Sequence, residues 1–395
     1  MGIKDQFFLH QAQTTSHPLA MEISHAKGSY IFDSEGKPHL DFVAGVSACT
    51  LGHSHPAVVE AIKKQADEYL HVMVYGEYIQ KPAVDFTSLL AKHLPESLSV
   101  TYLTNSGTEA IEGAIKLAKR ITARAQIISA KNAYHGNTLG SLSIMGFEER
   151  KSAFRPLMPG VNHITFNNEN DLEKITDQTA GVVLETIQGG AGFILPNDNF
   201  LQKVRKRCDE TGAQLILDEI QPGFGRTGKL FGFENFNCIP DILVIGKGMA
   251  GGMPVGAFVS SFEKMKLLQN NPKLGHITTF GGHPVIAAAA LATLKELTTT
   301  SLVQETLEKE KLFRSLLVHP LIKEIRGIGL MLAIMLENEE IANRVILECK
   351  SKGLILFWLL FEGKAIRITP PLTISKVEIV QGCKIILDVL NDIKK

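Results

Sequence analysis

Two short apolar runs in this chain each end on a group that can do chemistry. Gln214-Leu-Ile-Leu217 has the character of a strand buried on both faces, and it stops at the carboxylate of Asp218. Asp241-Ile-Leu-Val-Ile-Gly246 repeats the design and delivers the amine of Lys247. Ligands of open α/β sheets sit outside the carboxyl ends of the strands. An acid and an amine presented there suit pyridoxal phosphate. Its aldehyde needs a lysine for a Schiff base, and its ring nitrogen needs an anion to stay protonated. Gly246, Gly248, Gly251 and Gly252 keep side chains away from the amine, as a bulky ligand requires. The plainer alternative is an Asp218 that caps a helix or pairs with Arg226, and a Lys247 that merely decorates a glycine-rich turn.

Other residues add to the chemical reading. Asn105-Ser-Gly-Thr-Glu109 follows an apolar strand and opens a helix whose apolar positions 111, 114, 115, 118 and 121 form one buried stripe. Its first turn offers unpaired N–H groups, the hydroxyls of Ser106 and Thr108, and Gly107 for close approach. That set serves a phosphate or an ordinary helix cap. With an acid and a lysine downstream, the phosphate is the preferred reading. Tyr134, in the loop Asn132-Ala-Tyr-His-Gly136 after a strand, can stack on a pyridine ring. Arg367 lies between apolar neighbours and offers a planar fork to a carboxylate, with a structural ion pair as the alternative.

The runs LILDEIQPGFGRTG (215–228) and DILVIGKGMAGG (241–252) resemble the signature of the class III pyridoxal-phosphate aminotransferases. That family includes the acetylornithine, ornithine, 4-aminobutyrate and putrescine enzymes. The resemblance implies an α/β fold of type I, with a large domain on a mostly parallel seven-stranded sheet at 45–290. A small α+β domain would come from both chain ends, 1–44 and 291–395. It implies that Lys247 carries the cofactor and that Asp218 faces the ring nitrogen. Ser106, Gly107, Thr108, Tyr134, His135 and Gln221 would complete the cofactor site. Thr279 would reach the phosphate of the neighbouring subunit in a homodimer. Arg367, Glu185, Asn137 and Val46 would meet the substrates, Arg367 taking the α-carboxylate of a keto acid such as 2-oxoglutarate in a ping-pong exchange.

One position departs from that pattern. Acetylornithine and succinylornithine enzymes usually place an arginine directly after the aromatic-His-Gly, where this chain has Asn137. Asparagine cannot supply the charge that grips a donor's α-carboxylate. A terminal-amine donor, such as a diamine or an ω-amino acid, is therefore expected. An acetylornithine- or ornithine-type enzyme, or another reaction of the same cofactor such as an aminomutase, is the alternative. Tyr75 and Tyr78 are candidates for the donor pocket, or else core residues.

Strands alternating with helical stretches from about 100 to 260 predict the parallel sheet that positions these groups. A hairpin is expected over 22–43, turning at Asp33-Ser-Glu-Gly36, and 256–260 is expected to run against the other strands at the sheet edge. A helix is expected at 283–299, strands at 325–336, 354–357 and 366–369, and helices at about 338–352 and 375–392. The 395 residues are 45% hydrophobic, and 41 Lys+Arg balance 41 Asp+Glu, which gives no reason to expect nucleic acid or a membrane as partner. Five scattered cysteines without a CxxC, and an N-terminus lacking an apolar leader core, predict a cytoplasmic protein with free thiols. Cys49, His53 and His55 lack the local carboxylate or second cluster that would complete a metal site, so no metal is expected. No GxGxxG follows an early strand, which disfavours a nicotinamide enzyme.

Overall fold

The computed structural model describes residues 1–394 and contains three sheets. Strands β1 (Ile23–Lys27), β2 (Tyr30–Asp33) and β3 (Pro38–Asp41) form an antiparallel meander. Asp33 holds the second turn, its Oδ1 accepting the amides of Glu35 at 3.1 Å and Lys37 at 2.9 Å.

The large sheet takes seven strands: β4 (Val100–Thr104), β5 (Gln126–Ala130), β6 (Val161–Ile164), β7 (Thr179–Glu185), β8 (Gln214–Asp218), β9 (Ile242–Gly246) and β10 (Gly256–Ser260). Their order is β4-β10-β9-β8-β7-β5-β6. Only β10 is antiparallel to its neighbours, β4 and β9. It does not lie at the edge, however, because β4 takes that place. The connection from β9 to β10 is too short for the helical crossover that a parallel neighbour requires.

Side chains of the central strands alternate between two cores. Leu215, Leu217, Leu243, Ile245, Val182 and Leu184 face one; Ile216, Ile242, Val244 and Val183 face the other. The second face is covered by the Gly107–Thr122 helix through Ala110, Ile111, Ala114, Ile115, Leu117 and Ala118. The first is covered by the helices Phe200–Thr211 and Pro284–Thr299. Cover on both sides is why these strands read as unbroken apolar runs. Truncating one of their leucines to alanine costs about 2–5 kcal/mol.

Beyond the Leu302–Leu316 helix, which the sequence did not suggest, come β11 (Ile322–Ile328), β12 (Met331–Leu336), β13 (Leu354–Ile355), β14 (Phe357–Trp358) and β15 (Ala365–Ile368). The stretch expected as one strand over 325–336 is a hairpin broken at Gly329, whose φ is +63°. A β-carbon there would stand 2.5 Å from the Arg226 carbonyl oxygen. The stretch 354–357 is also divided: β13 pairs in parallel with β3, while β14 pairs with β15 in the third sheet, β11-β12-β15-β14. Helices Glu339–Ser351 and Lys376–Lys394 lie where expected. Among the described residues no single helix is long and apolar enough to cross a membrane.

Candidate active site

Strand register brings the chemistry together. Glu185 stands opposite Asp218 on adjacent parallel strands, and Asp218 stands opposite Val244. Lys247 follows directly after β9, so the two acids and the amine share the carboxyl edge of the sheet. A cavity of about 700 Å³ opens there. Val46, Ser106, Gly107, Thr108, Tyr134, His135, Asn137, Glu185, Asp218, Gln221, Lys247 and Arg367 all line it.

Lys247 has φ +43°, the left-handed region that a lysine adopts only when its surroundings impose it. Burial lowers its pKa; nearby Asp218 opposes this, Arg367 adds to it and Glu185 opposes it. The lowered value favours a neutral, nucleophilic amine. Asp218 is buried, and its Oδ2 pairs with His135 Nδ1 at 2.8 Å while its Oδ1 accepts the Ile220 amide at 3.0 Å. Arg226 does not pair with it; its Nη1 donates to the carbonyls of Leu330, at 3.2 Å, and Pro370.

Glu185 accepts the amides of Gly189 at 2.9 Å and Tyr134 at 3.3 Å. Burial pushes its carboxyl up to about 7; His135 and the two amides oppose this, and the Asp218 charge adds to it. It does not pair with Arg367, whose buried Nε and Nη1 have no hydrogen-bond partner and whose guanidinium lies 5.4 Å from the centre of the Phe193 ring. Burial pushes the Arg367 pKa down to about 10, which still leaves it charged near neutral pH.

At the start of the Gly107–Thr122 helix, the Ser106 hydroxyl accepts the Glu109 amide at 3.3 Å. Ser106 thus caps the helix while also lining the cavity. The first-turn amides of Gly107 and Thr108 still have no intrahelical acceptor. Thr108 Oγ1 is fixed by Ser141 at 2.6 Å and Thr138 at 2.8 Å. Gln221 Nε2 donates to Ser47 Oγ at 3.3 Å. His135 Nε2, buried and without a partner, lines the same space.

Thr279, expected at a neighbouring subunit's phosphate, is exposed and lies outside this chain's own cavity. Tyr75 and Tyr78 line a second cavity of about 680 Å³, with Leu103 and His276. The sequence reading missed Asn105, Ile220, Phe357, Trp358 and Leu360. Asn105 and Ile220 adjoin recognised motifs and were within reach. Phe357 and Trp358 enter because β14 pairs with the Arg367 strand, and Leu360 follows just beyond β14.

The family model for class III aminotransferases matches residues 11–390. The chain is a class III aminotransferase. It is 37% identical to the acetylornithine aminotransferase of Caldanaerobacter subterraneus subsp. tengcongensis, over 93% of this chain and 94% of that one. It is also 38% identical to the putrescine aminotransferase of Pectobacterium atrosepticum, over 91% of this chain and 80% of that one. Among solved structures, the ornithine aminotransferase of Toxoplasma gondii superposes with TM-score 0.91 at 28% identity, covering 100% of this chain and 96% of that one. The ω-transaminase of Pseudomonas jessenii in complex with PMP gives 0.92 at 25% identity, covering 99% and 98%. Class III aminotransferases use pyridoxal phosphate, and the residues of this cavity fit it. An amine, a buried acid, a helix start with free amides, an aromatic ring and an unpaired guanidinium surround one space.

Proposed function

We propose that this aminotransferase moves the amino group of a terminal amine or ω-amino acid to a keto acid, with 2-oxoglutarate as acceptor, in two half-reactions. The observation that carries this reading is the convergence of Lys247, Asp218 and the unpaired Arg367 guanidinium on one cavity. When bound, pyridoxal phosphate supplies an electron sink that stabilises negative charge on the carbon bearing the amine. Lys247 Nζ would hold the cofactor and would be the base that moves the proton of that carbon; a burial-lowered pKa suits a base. Asp218, itself held by His135 and the Ile220 amide, keeps a negative charge at the ring nitrogen.

Thr108, Gly107 and Ser106 would hold the phosphate, and Tyr134 and Gln221 would hold the ring; all five line the cavity. Arg367 binds the keto acid's carboxylate next to the reacting carbon, and Val46 and Glu185 shape the space around the substrate. Asn137 is neutral and grips no α-carboxylate. The working unit is a homodimer in which Thr279 completes the partner's phosphate site. Supporting this, Ile79 is 94% exposed and Phe280 51% exposed on the face carrying the second cavity. The division into a large domain at 45–290 and a small one from 1–44 and 291–395 belongs to the same reading.

The test is spectroscopic. Purified enzyme is expected to be yellow, and Lys247→Ala to lose the visible absorption and turnover together. An unchanged spectrum in that variant would remove the central assignment.

A further inference from the structure

The charge that position 137 lacks is present at the cavity rim on another residue. Arg150 ends a short 3₁₀ turn, Glu148–Arg150, and is exposed. Its Nη2 donates to the Leu360 carbonyl at 3.3 Å, and its guanidinium lies 5.6 Å from the centre of the Phe361 ring. Phe361 is itself fixed: it stacks on Phe147 at 4.8 Å, and its amide donates to Gly190 at 2.9 Å. Leu360, Gly190 and Tyr134 line the cavity, and the Arg150 charge reaches the Tyr134 phenol. A flexible side chain is thus held at the mouth by an aromatic face and a carbonyl.

No carboxylate neutralises it among the described residues. Neighbouring Glu148 is taken by Arg155 at 2.5 Å and Lys151 at 3.7 Å. Asn137, on the same rim, gives one Nδ2 hydrogen to the Tyr134 hydroxyl at 3.1 Å, which leaves an uncharged amide to face a ligand. A fixed cation outweighs that dipole. It attracts a carboxylate arriving at the rim and repels an ammonium.

Resting on the aminotransferase reading above, we propose that Arg150 selects the donor by binding a carboxylate at the end remote from the reacting amine. ω-Amino acids are then the preferred donors and diamines the disfavoured ones. Arg150 is a specificity residue at the mouth; Arg367 serves the keto acid deeper in.

The probes are 4-aminobutyrate and putrescine, four-carbon amines whose remote ends carry opposite charges. Steady-state kinetics with 2-oxoglutarate would be measured on wild type, Arg150→Met and Arg150→Lys. Wild type is expected to favour 4-aminobutyrate. Arg150→Met is expected to lose about two- to fivefold of kcat/KM on it through KM, the worth of one rim ion pair. The same variant should hold or gain on putrescine, raise its KM for 2-oxoglutarate, whose distal carboxylate lies as far from the reacting carbon as that of 4-aminobutyrate, and be partly rescued by lysine. A wild type that prefers putrescine, or equal changes on both donors in Arg150→Met, would overturn the assignment. Failure of the underlying reading looks different: wild type would transfer no amino group from either donor.

Discussion

Gly136 offers a test of how the cofactor loop is seated. It links His135 to Asn137 with φ +127°, in the region that side chains rarely enter. A β-carbon there would stand 2.3 Å from Thr108 Oγ1, 2.5 Å from Thr108 Cβ and 2.8 Å from Ser141 Oγ. The clash falls on a residue already tied to Thr138 and Ser141, so Thr108 cannot move without losing those bonds. Backbone strain costs about 1–3 kcal/mol and overpacking another 1–3 kcal/mol. For Gly136→Ala this gives about 2–6 kcal/mol, shared between the fold and the cofactor site.

The assay is titration of apo-enzyme with pyridoxal phosphate, followed by visible absorption, beside urea unfolding of the apo form. Gly36→Ala is the control, because Gly36 has φ +80° but nothing within 4 Å of its virtual β-carbon. The control should lose about 1 kcal/mol of stability and keep cofactor affinity. Gly136→Ala should lose more stability and at least about tenfold in affinity, since about 1.4 kcal/mol of its cost suffices for that. Wild-type affinity in Gly136→Ala would refute the placement of the phosphate beside Thr108.

Asp218→Asn should retain cofactor but lose turnover by about a hundredfold or more, roughly 2.7 kcal/mol, because a neutral amide cannot hold the ring charge; near-normal turnover would identify another acid. Glu219 is fully buried, accepting Thr186 Oγ1 and the amides of Gly232 and Phe233, and burial pushes its pKa from 4.5 up to about 7. The folded protein therefore holds that proton more tightly than the unfolded chain. Its contribution is full below about pH 4.5 and is lost as pH rises through about 7. Apo-enzyme stability in urea should fall by about 1–3 kcal/mol between pH 5 and 8 on this account, and Glu219→Gln should flatten the slope; an unchanged slope would refute it. Light scattering of the active species should report a dimer, and an active monomer would contradict the role given to Thr279.

Much of the site is legible because local patterns carry it. Asp218 and Lys247 end apolar runs long enough to be strands and short enough not to be helices. The Ser106 cap and the 111/114/115/118 stripe locate a helix start to within a residue. What escaped depends on pairing between distant segments. Nothing in Gly256–Ser260 itself reveals that β4 lies outside it. Phe357 and Trp358 look like core residues until β14 is seen beside Arg367. The unpaired state of Arg367 is equally invisible locally, since it depends on Glu185 turning to the amides of Gly189 and Tyr134 instead. Tyr75 and Tyr78 border a second cavity, which nothing in their local sequence reveals.

Position 137 shows why a missing motif residue is weak evidence about a substrate. A guanidinium lost at 137 implies a donor without a carboxylate near that point only if no other cation enters the same space. A short turn at 148–150 and an aromatic pair, Phe147 and Phe361, bring Arg150 to that rim from thirteen residues further along the chain. A carboxylate close to the reacting carbon and one at the donor's remote end make different demands, and the residues at 137 and 150 answer them separately. In the roles proposed here, the loss at 137 weighs against donors of the acetylornithine kind and the gain at 150 against diamines, so ω-amino acids are the donors to expect.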